Sequence, residues 1–491
     1  MAEGDVELGP VDIDGTVQLL LNFDEVQNRS KHHSGSIYMV PSVYRDISPT
    51  SFTPRVVSIG PLHHEDKHLK GFEVQKATYL HNLLHNLLSS LGYTPEQILK
   101  ECVTKVTDSL NQIKACYIGI KTSDSKLVKL MVTDACFILA FIYNRKFRYC
   151  SLGQNNSLFA QIYHDMVLIE NQIPFFVLKD IFECTFKKLH PAYCLAEYIF
   201  CILNYCNIFQ DSVIHESNIS ETHDHILGIL HKSYQNPYRR SSRLYGRYPK
   251  AHSAVELDRS GVRFSKKLHA KWPMAMELKF SRFLCFPLNL AWSKPTLKMP
   301  VPHLVDGTEL IIRNLIIYEQ FAEVQTCVTS YMLALDKLID TPEDVVKLVK
   351  SQVIVNRLGS VEKATNLINN MLEQVIIKEF FYQDEWRLLD QYYNAKWPKF
   401  IAVLRRNYFS NPWSIIALIA GIAGNNWGTH TMGTPMPQST NNNHDAPNPY
   451  VQYGAPQAPP PPPLLCRIIW IMYDYAVIGL VKSGQSVTGS A

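Results

Sequence analysis

Apolar side chains recur with helical spacing along most of the chain. Between Phe72 and Leu91, six leucines fall on one stripe, while the opposite face carries histidine, asparagine and serine. This spacing of three and four residues predicts an amphipathic helix with one buried face. The same pattern predicts helices at Leu127–Tyr143, at Ser157–Phe186 with a break near Pro174, at His190–Phe209, from Thr308 onward, and at about Lys378–Tyr408.

Two regions have a shorter spacing of apolar residues. Residues 36–63 are interrupted by four prolines, and Val56–Ile59 within them is predicted as a short strand. Leu278–Met299 predicts a hairpin or a pair of strands. The chain is therefore predicted to be mainly α, a large multi-helix domain with a small β element near residues 278–300.

The clearest start of a helix is the segment Thr341-Pro342-Glu343-Asp344. It offers a threonine as N-cap, a proline at the first helical position and a carboxylate three residues after the threonine. Gly359 is predicted to end this helix, and Ser360 to cap the next one.

Three consecutive polar residues interrupt an apolar stretch in the first half of the chain. Glu170, Asn171 and Gln172 follow Met166–Ile169 and precede Ile173–Leu178. With apolar neighbours on both sides, the three side chains are predicted to be buried, where each unpaired polar group costs about 1–3 kcal/mol. We interpret the block as a hydrogen-bonded junction in the core; the alternative is that it faces a ligand pocket.

Composition narrows the class of protein. The chain has 491 residues, of which 46% are hydrophobic and 19% charged, so a large packed core is feasible and disorder throughout is excluded. A net charge of +4 is too small to indicate a nucleic-acid partner. The eleven cysteines are an odd number scattered through apolar stretches, which favours a reducing compartment over a disulfide framework.

Changes in composition divide the chain into four parts. Residues 1–35 form an acidic leader, predicted to be flexible and without the features of a secretory signal peptide. The helical domain is predicted at 36–424. Residues 425–463 are rich in Asn, Gly and Pro and end in five prolines, which predicts a disordered linker. Residues 464–491 are an apolar C-terminal tail; an alternative exon or an imperfect gene model would also account for the sequence after 424.

Several motifs follow one another along the chain. Their residues, to which we assign a structural role, are Pro41, Gly60, Pro61, His63, His64, Glu170, Asn171, Gln172, Pro174, Phe175, Asn411, Pro412 and Trp413. Further motif segments are Val132–Leu139, Ala254–Leu257, Glu309–Gln320 and Thr329–Gly359. In this order, the motifs resemble those of a plant family known as domain of unknown function 247, and the Glu170–Leu178 block is similar to the most recognisable of them.

The resemblance implies a helical plant protein without an assigned active site. Members of the family usually end in one membrane-spanning helix after the Asn-Pro-Trp motif. Some grass members are associated with self-incompatibility in pollen, and others with growth or stress responses. The resemblance implies no catalytic residue and no cofactor.

Two apolar runs near the C-terminus bear on membrane association. As a helix, Trp413–Gly424 would extend about 18 Å, short of the ~30 Å hydrocarbon core. Leu464–Val481 would extend about 27 Å but contains Arg467 and Asp474, and the aspartate would cost about 2.5–3.5 kcal/mol near the centre of a membrane. We expect contact with a membrane through this region, without assigning a span.

One pattern points to enzyme chemistry. His64-Glu65-Asp66-Lys67-His68 spells H-E-x-x-H, in which two histidines one helical turn apart bind zinc and the glutamate activates water. The segment follows Gly60-Pro61, where a loop or the start of a helix is predicted. No third ligand follows at a familiar spacing, and Glu96 and Glu101 are the alternatives for that position. A metal-dependent hydrolase using His64, Glu65 and His68 is therefore the alternative hypothesis.

The preferred hypothesis is a non-catalytic interaction or signalling protein without a cofactor, bound to an unidentified protein partner. It is expected at the plasma membrane with its body facing the cytoplasm, or in the cytoplasm. A third hypothesis is a soluble cytosolic or nuclear scaffold.

Overall fold

The fold is mainly helical in the residues that the computed structural model describes, which confirms the predicted fold class. These residues are 12, 17–18, 35–147, 156–210, 224–237, 250–267, 272–285 and 290–394. Most of the predicted leader, and all of the predicted linker and tail at 425–491, lie outside them. The predicted domain boundaries stay predictions.

The α-helices from residue 35 onward are numbered in chain order. They are α1 (Ser42–Arg45), α2 (Glu73–His81), α3 (Pro95–Asp108), α4 (Leu110–Ala115), α5 (Asp124–Phe147), α6 (Asn156–Asp165), α7 (Phe175–Cys184), α8 (Phe186–Leu189), α9 (Leu195–Tyr205), α10 (Ile226–Tyr234), α11 (Ala254–Arg259), α12 (Thr308–Phe321), α13 (Cys327–Asp336), α14 (Pro342–Lys350), α15 (Val361–Asn369) and α16 (Gln383–Asn394).

The predicted β element is present as a small mixed sheet. β2 (Glu277–Cys285) and β3 (Leu290–Met299) pair antiparallel, and β1 (Arg263–Lys266) adds to β3 in parallel, giving the order β1-β3-β2. A second, two-stranded sheet pairs β4 (His303–Leu304) in parallel with β5 (Val355–Asn356). Both sheets lie beside a much larger helical core.

Two helices form the centre of the described region. Helix α5 is buried and mostly apolar between Leu130 and Ile142, which is typical of a core helix, and α2, α3, α7 and α9 contact it. Helix α12 is buried from Leu310 to Glu319, and α10 and α13 contact it. Polar residues within such helices must find partners inside the protein.

The predicted cap at Thr341 is confirmed. Thr341 and Asp344 form a reciprocal capping box at the start of α14, and Ser360 caps α15 by accepting a hydrogen bond from the backbone N–H of Lys363. The prediction for Gly359 was wrong: α14 ends at Lys350, and Gly359 has a φ of +81° in the loop before α15.

Three other predictions need correction. Phe72–Leu91 is not one regular helix, because α2 ends at His81 and π and 3-10 turns continue to Leu91. Val56–Ile59 is not a strand. The break in Ser157–Phe186 is longer than predicted, because residues 166–174 between α6 and α7 are not helical. The last two differences arise because side chains hydrogen-bond to the backbone of these segments in place of other backbone groups.

Candidate functional site

Residues 166–174 cross the core without regular secondary structure, and their own side chains hold them there. Nε2 of the Gln172 side chain donates to the carbonyl oxygens of Met166 and Leu168, at 2.8 and 2.7 Å. These carbonyls would accept backbone hydrogen bonds if the helix continued. A side chain that competes in this way ends a helix. Glu170, Asn171 and Gln172 are at most 2% exposed, so the prediction that the block is buried is confirmed.

Asn171 connects this segment to the stretch that was predicted to be a strand. Its Nδ2 donates to the carbonyl oxygens of Val57 and Asp165, both at 2.9 Å, and its Oδ1 accepts from the N–H of Ile59 at 2.6 Å. One side chain thus takes the place of a neighbouring strand for residues 57–59. Two of its three hydrogen bonds go to this stretch, and the third goes to the end of α6.

Glu170 is the charged centre of the junction. Its Oε1 accepts from the guanidinium of Arg45 and the N–H of Val40, and its Oε2 lies 2.7 Å from Nε2 of His63. His63 also places Nδ1 2.8 Å from a carboxylate oxygen of Asp66. Burial by itself lowers the pKa of His63, but the hydrogen bonds to Glu170 and Asp66 outweigh it and raise that pKa above 6.5.

Two further buried residues complete the network on its other sides. Asp165 accepts the backbone N–H groups of Arg55, Val56 and Val57 at 2.8–3.0 Å, and burial raises its pKa to about 6. Asn314, on α12, accepts from the N–H of Ile169 at 2.9 Å and donates to the carbonyl of Ser51 at 2.7 Å. The junction therefore joins residues 40–60, the segment 166–174 and α12.

Gly60 closes the junction from the side of α5. It has a φ of +75°, and its N–H donates to Asp134 on α5 at 2.8 Å. The other oxygen of Asp134 accepts from the ammonium group of Lys76 at 2.7 Å, and both side chains are fully buried. Burial lowers the pKa of Lys76, but the carboxylates of Asp134 and Glu73 together outweigh burial and raise that pKa.

The remaining motif residues lie at the ends of these segments. Pro41 precedes α1 and Pro174 precedes α7, each with a φ near −57° that suits a helix start. Phe175 is buried, and its N–H donates to the carbonyl of Asp224 at 2.9 Å. Pro61 follows Gly60 in the turn that leads to His63. Asn411, Pro412 and Trp413 lie outside the described residues.

The H-E-x-x-H segment lies on turns, so the two histidines are not placed one helical turn apart. Glu65 is 67% exposed on its side chain and pairs with Lys126 and Lys70. The Nε2–H of His68 donates to the carbonyl of Pro54 at 3.0 Å. Nδ1 of His64 is buried and has no hydrogen-bond partner in the described part of the chain. The structure does not arrange these three side chains as the zinc motif requires.

Two surface cavities lie apart from the predicted site residues. The larger, about 510 Å³, is lined by residues of α5, α6 and α9 such as Arg145, Tyr163 and Tyr205. The smaller, about 90 Å³, lies at the start of α12 beside His164 and Arg55. None of the predicted site residues lines either one, although Glu309 and Leu310, from the matching segment Glu309–Gln320, line the smaller cavity.

Sequence reasoning missed a second buried polar cluster. His231 on α10, Glu319 near the end of α12 and Cys327 at the start of α13 are all at most 1% exposed, and their ligand-type atoms lie within 4.8 Å of one another. They are the only such group of three or more His, Cys, Asp or Glu side chains among the described residues. The three positions are separated by 88 and 8 residues, so no local spacing indicates the cluster.

The chain is similar to known plant sequences over most of its length. The sequence model of DUF247, described as a plant protein of unknown function, matches residues 37–424. The chain belongs to this family. The buried junction thus lies in a DUF247 protein, and the match confirms the family indicated by the motifs around Glu170. No solved structure matches the chain.

Two relatives from Arabidopsis thaliana extend over most of this DUF247 chain. The UPF0481 protein At3g47200 is 23% identical over 413 residues, which cover 78% of this chain and 82% of the relative. The putative UPF0481 protein At3g02645 is 24% identical over 474 residues, which cover 79% of this chain and 87% of the relative. Neither name states an activity.

The apolar runs at 413–424 and 464–481 lie outside the described residues. Within the part of the chain that the structure describes, no helix combines the length and the apolar character needed to cross a membrane.

Proposed function

We propose that this DUF247 protein is a non-catalytic interaction protein, which binds a protein partner near a plant membrane. The observation that carries the proposal is that the polar side chains of the junction form hydrogen bonds within the chain itself. A catalytic site must present polar atoms to a substrate. Glu170, Asn171 and Gln172 are instead buried and bonded to the chain's own backbone and side chains.

Exposed apolar side chains on segments that contact one another support partner binding. Met39, Val43 and Phe321 are 47–49% exposed, and Ile376 is 66% exposed. The segments that carry them are in contact: the Phe321 ring lies 5.1 Å from that of Tyr38, and the backbone of Ile376 bonds with the side chain of Gln320. We call these four side chains the outer apolar surface. Exposed apolar side chains grouped in this way are typical of protein-binding surfaces.

Proximity labelling with the tagged full-length chain in native tissue tests this function. We expect the wild type to enrich a partner protein, and the double variant Met39→Ser, Phe321→Ser to lose it while remaining folded. The control is Val74→Ser, Val103→Ser, which changes two exposed apolar side chains on α2 and α3. Equal loss in both double variants, or no partner above a free labelling enzyme, would show the proposal to be wrong.

The membrane part of the proposal rests on the two C-terminal apolar runs. The tagged full-length chain is compared with a chain that ends at residue 412 by fractionation. We expect the full-length chain in the membrane fraction and the shortened chain in the soluble fraction. If both stay soluble, the protein is a soluble scaffold and this part of the proposal fails.

A further inference from the structure

The cluster of His231, Glu319 and Cys327 has an unusual arrangement of acceptors. Nε2 of His231 faces three of them: Oε1 of Glu319 at 2.9 Å, the carbonyl oxygen of Gln325 at 3.0 Å and Sγ of Cys327 at 3.7 Å. A single N–H hydrogen cannot point at all three atoms at once, and the Cys327 thiol is itself close enough to donate to Oε1 of Glu319, at 3.5 Å. A cation placed among the four atoms could contact all of them.

We propose that His231, Glu319, Cys327 and the carbonyl of Gln325 form a structural binding site for a divalent transition-metal ion, with zinc as the best match. Imidazole nitrogen, thiolate sulfur and carboxylate oxygen are the ligands that zinc takes in proteins. A site with four protein ligands, three of them on buried side chains, is typical of a structural site rather than a catalytic one.

Two distances from Sγ of Cys327 match those of a tetrahedral zinc site. Usual zinc bond lengths at tetrahedral angles separate sulfur from nitrogen or oxygen by about 3.6 Å, and nitrogen from oxygen by about 3.4 Å. Sγ of Cys327 lies 3.7 Å from Nε2 of His231 and 3.5 Å from Oε1 of Glu319. The two nitrogen–oxygen distances, 2.9 and 3.0 Å, would have to widen by about 0.4–0.5 Å.

The surroundings hold the carboxylate in place. The backbone N–H groups of Val328 and Thr329 donate to Glu319 at 2.8 Å, and the hydroxyl of Thr329 donates at 2.6 Å. Such bonds to a ligand orient it and are typical of metal sites. They also fix the end of α12 against the start of α13, so the ligands from both helices are positioned before an ion arrives.

Charge is balanced when the ion binds. Without a cation, the Cys327 thiol lies 3.5 Å from Oε1 of Glu319 and can donate its proton towards that carboxylate. Binding forms the metal–sulfur bond and releases that proton to solvent. The thiolate and the carboxylate then neutralise the two positive charges of the ion, while imidazole and carbonyl stay uncharged.

The test measures zinc in the full-length protein, purified through a tag without histidines after expression with added zinc. We expect about one zinc per chain by mass spectrometry. Cobalt, used as a replacement, should give a charge-transfer absorption band in the near ultraviolet from one thiolate. Cys327→Ser should abolish that band and weaken zinc binding by at least about tenfold.

The matched control is Cys206→Ser, which changes an equally buried cysteine that bonds to the carbonyl of Tyr163 outside the cluster. It should keep both the zinc and the band. If Cys327→Ser does not fold, the wild type alone decides: a strong chelator should lower its melting temperature, and added zinc should restore it. A wild type without zinc or the cobalt band, or a Cys327→Ser protein that binds zinc as tightly, would show that the cluster is only an internal hydrogen-bonded ion pair.

Discussion

The carbonyl oxygen of Gln172 lies 2.5 Å from the point that a Cβ atom would occupy at Gly60. The two residues come from segments 112 positions apart, and glycine is the residue that allows their backbones to approach so closely. The motif around Gly60 and the motif around Gln172 therefore depend on each other.

Gly60→Ala should lower the free energy of unfolding by about 2–3 kcal/mol, because the methyl group meets this carbonyl and the φ of +75° is unfavourable for alanine. Urea unfolding followed by circular dichroism measures the loss. Gly92→Ala is the control, since Gly92 has a φ of +87° with open space around it. It should lose only about 1 kcal/mol. Equal losses would mean that the contact with Gln172 contributes nothing.

Glu170→Gln should lower the free energy of unfolding by about 3 kcal/mol. The substitution keeps the shape but removes the charge that Arg45 and His63 face, and leaving one partner of a buried ion pair alone is costly. Glu65→Gln is the matched control, because the same change removes a carboxylate from an exposed pair and should leave stability close to that of the wild type. A Glu170 variant that kept full stability but lost its protein partner would contradict the structural role of the junction.

The junction should make stability depend on pH above about 6.5. The pKa of His63 is raised in the folded state, so between the unfolded and folded pKa values the folded state binds more protons than the unfolded state. The contribution of this histidine to stability is complete below its pKa in the unfolded chain. It is lost as the pH rises through its pKa in the folded protein, and the free energy of unfolding falls by at most about 1.4 kcal/mol per pH unit. Urea unfolding at a series of pH values measures it. His63→Gln should remove this slope, and an unchanged slope would assign it to another group.

Asn171→Asp should lower the free energy of unfolding by about 3 kcal/mol at neutral pH, because a carboxylate oxygen would then face the carbonyls of Val57 and Asp165. A protonated aspartic acid can donate one of these bonds. The difference from the wild type should therefore shrink as the pH falls towards 4. Urea midpoints of both proteins at each pH provide the comparison, and a difference that did not change with pH would argue against this geometry.

The parts of the fold that depend on residues close together in the sequence could be predicted from the sequence. The cap of α14 was predictable because Thr341 and Asp344 bond to each other across three residues. The burial of Glu170 was predictable because apolar residues surround it in the sequence. The helix and strand patterns of Leu127–Tyr143 and Leu278–Met299 were likewise contained within their own segments.

Predictions failed where a distant side chain replaced a backbone partner. Val56–Ile59 has the composition of a strand, but its N–H groups bond to Asp165 and Asn171 more than 100 residues away. The segment 166–174 has the composition of a helix, but the side-chain amide of Gln172 donates hydrogen bonds to two carbonyl oxygens within it. The cluster at Glu319 could not be found either, because the sequence does not indicate that α10 and α13 meet there.

The bonds that hold residues 38–51 have a consequence for biosynthesis. The hydroxyl of Tyr38 donates to the carbonyl of Ile317, and the carbonyl of Ser51 accepts from Asn314. These partners are translated more than 260 residues later, whereas Glu170, which bonds to Val40 and Arg45, follows them after 125–130 residues. The segment is therefore fixed in two stages. Nascent chains stalled between Glu170 and residue 314 should leave it more open to protease than chains stalled well past α12.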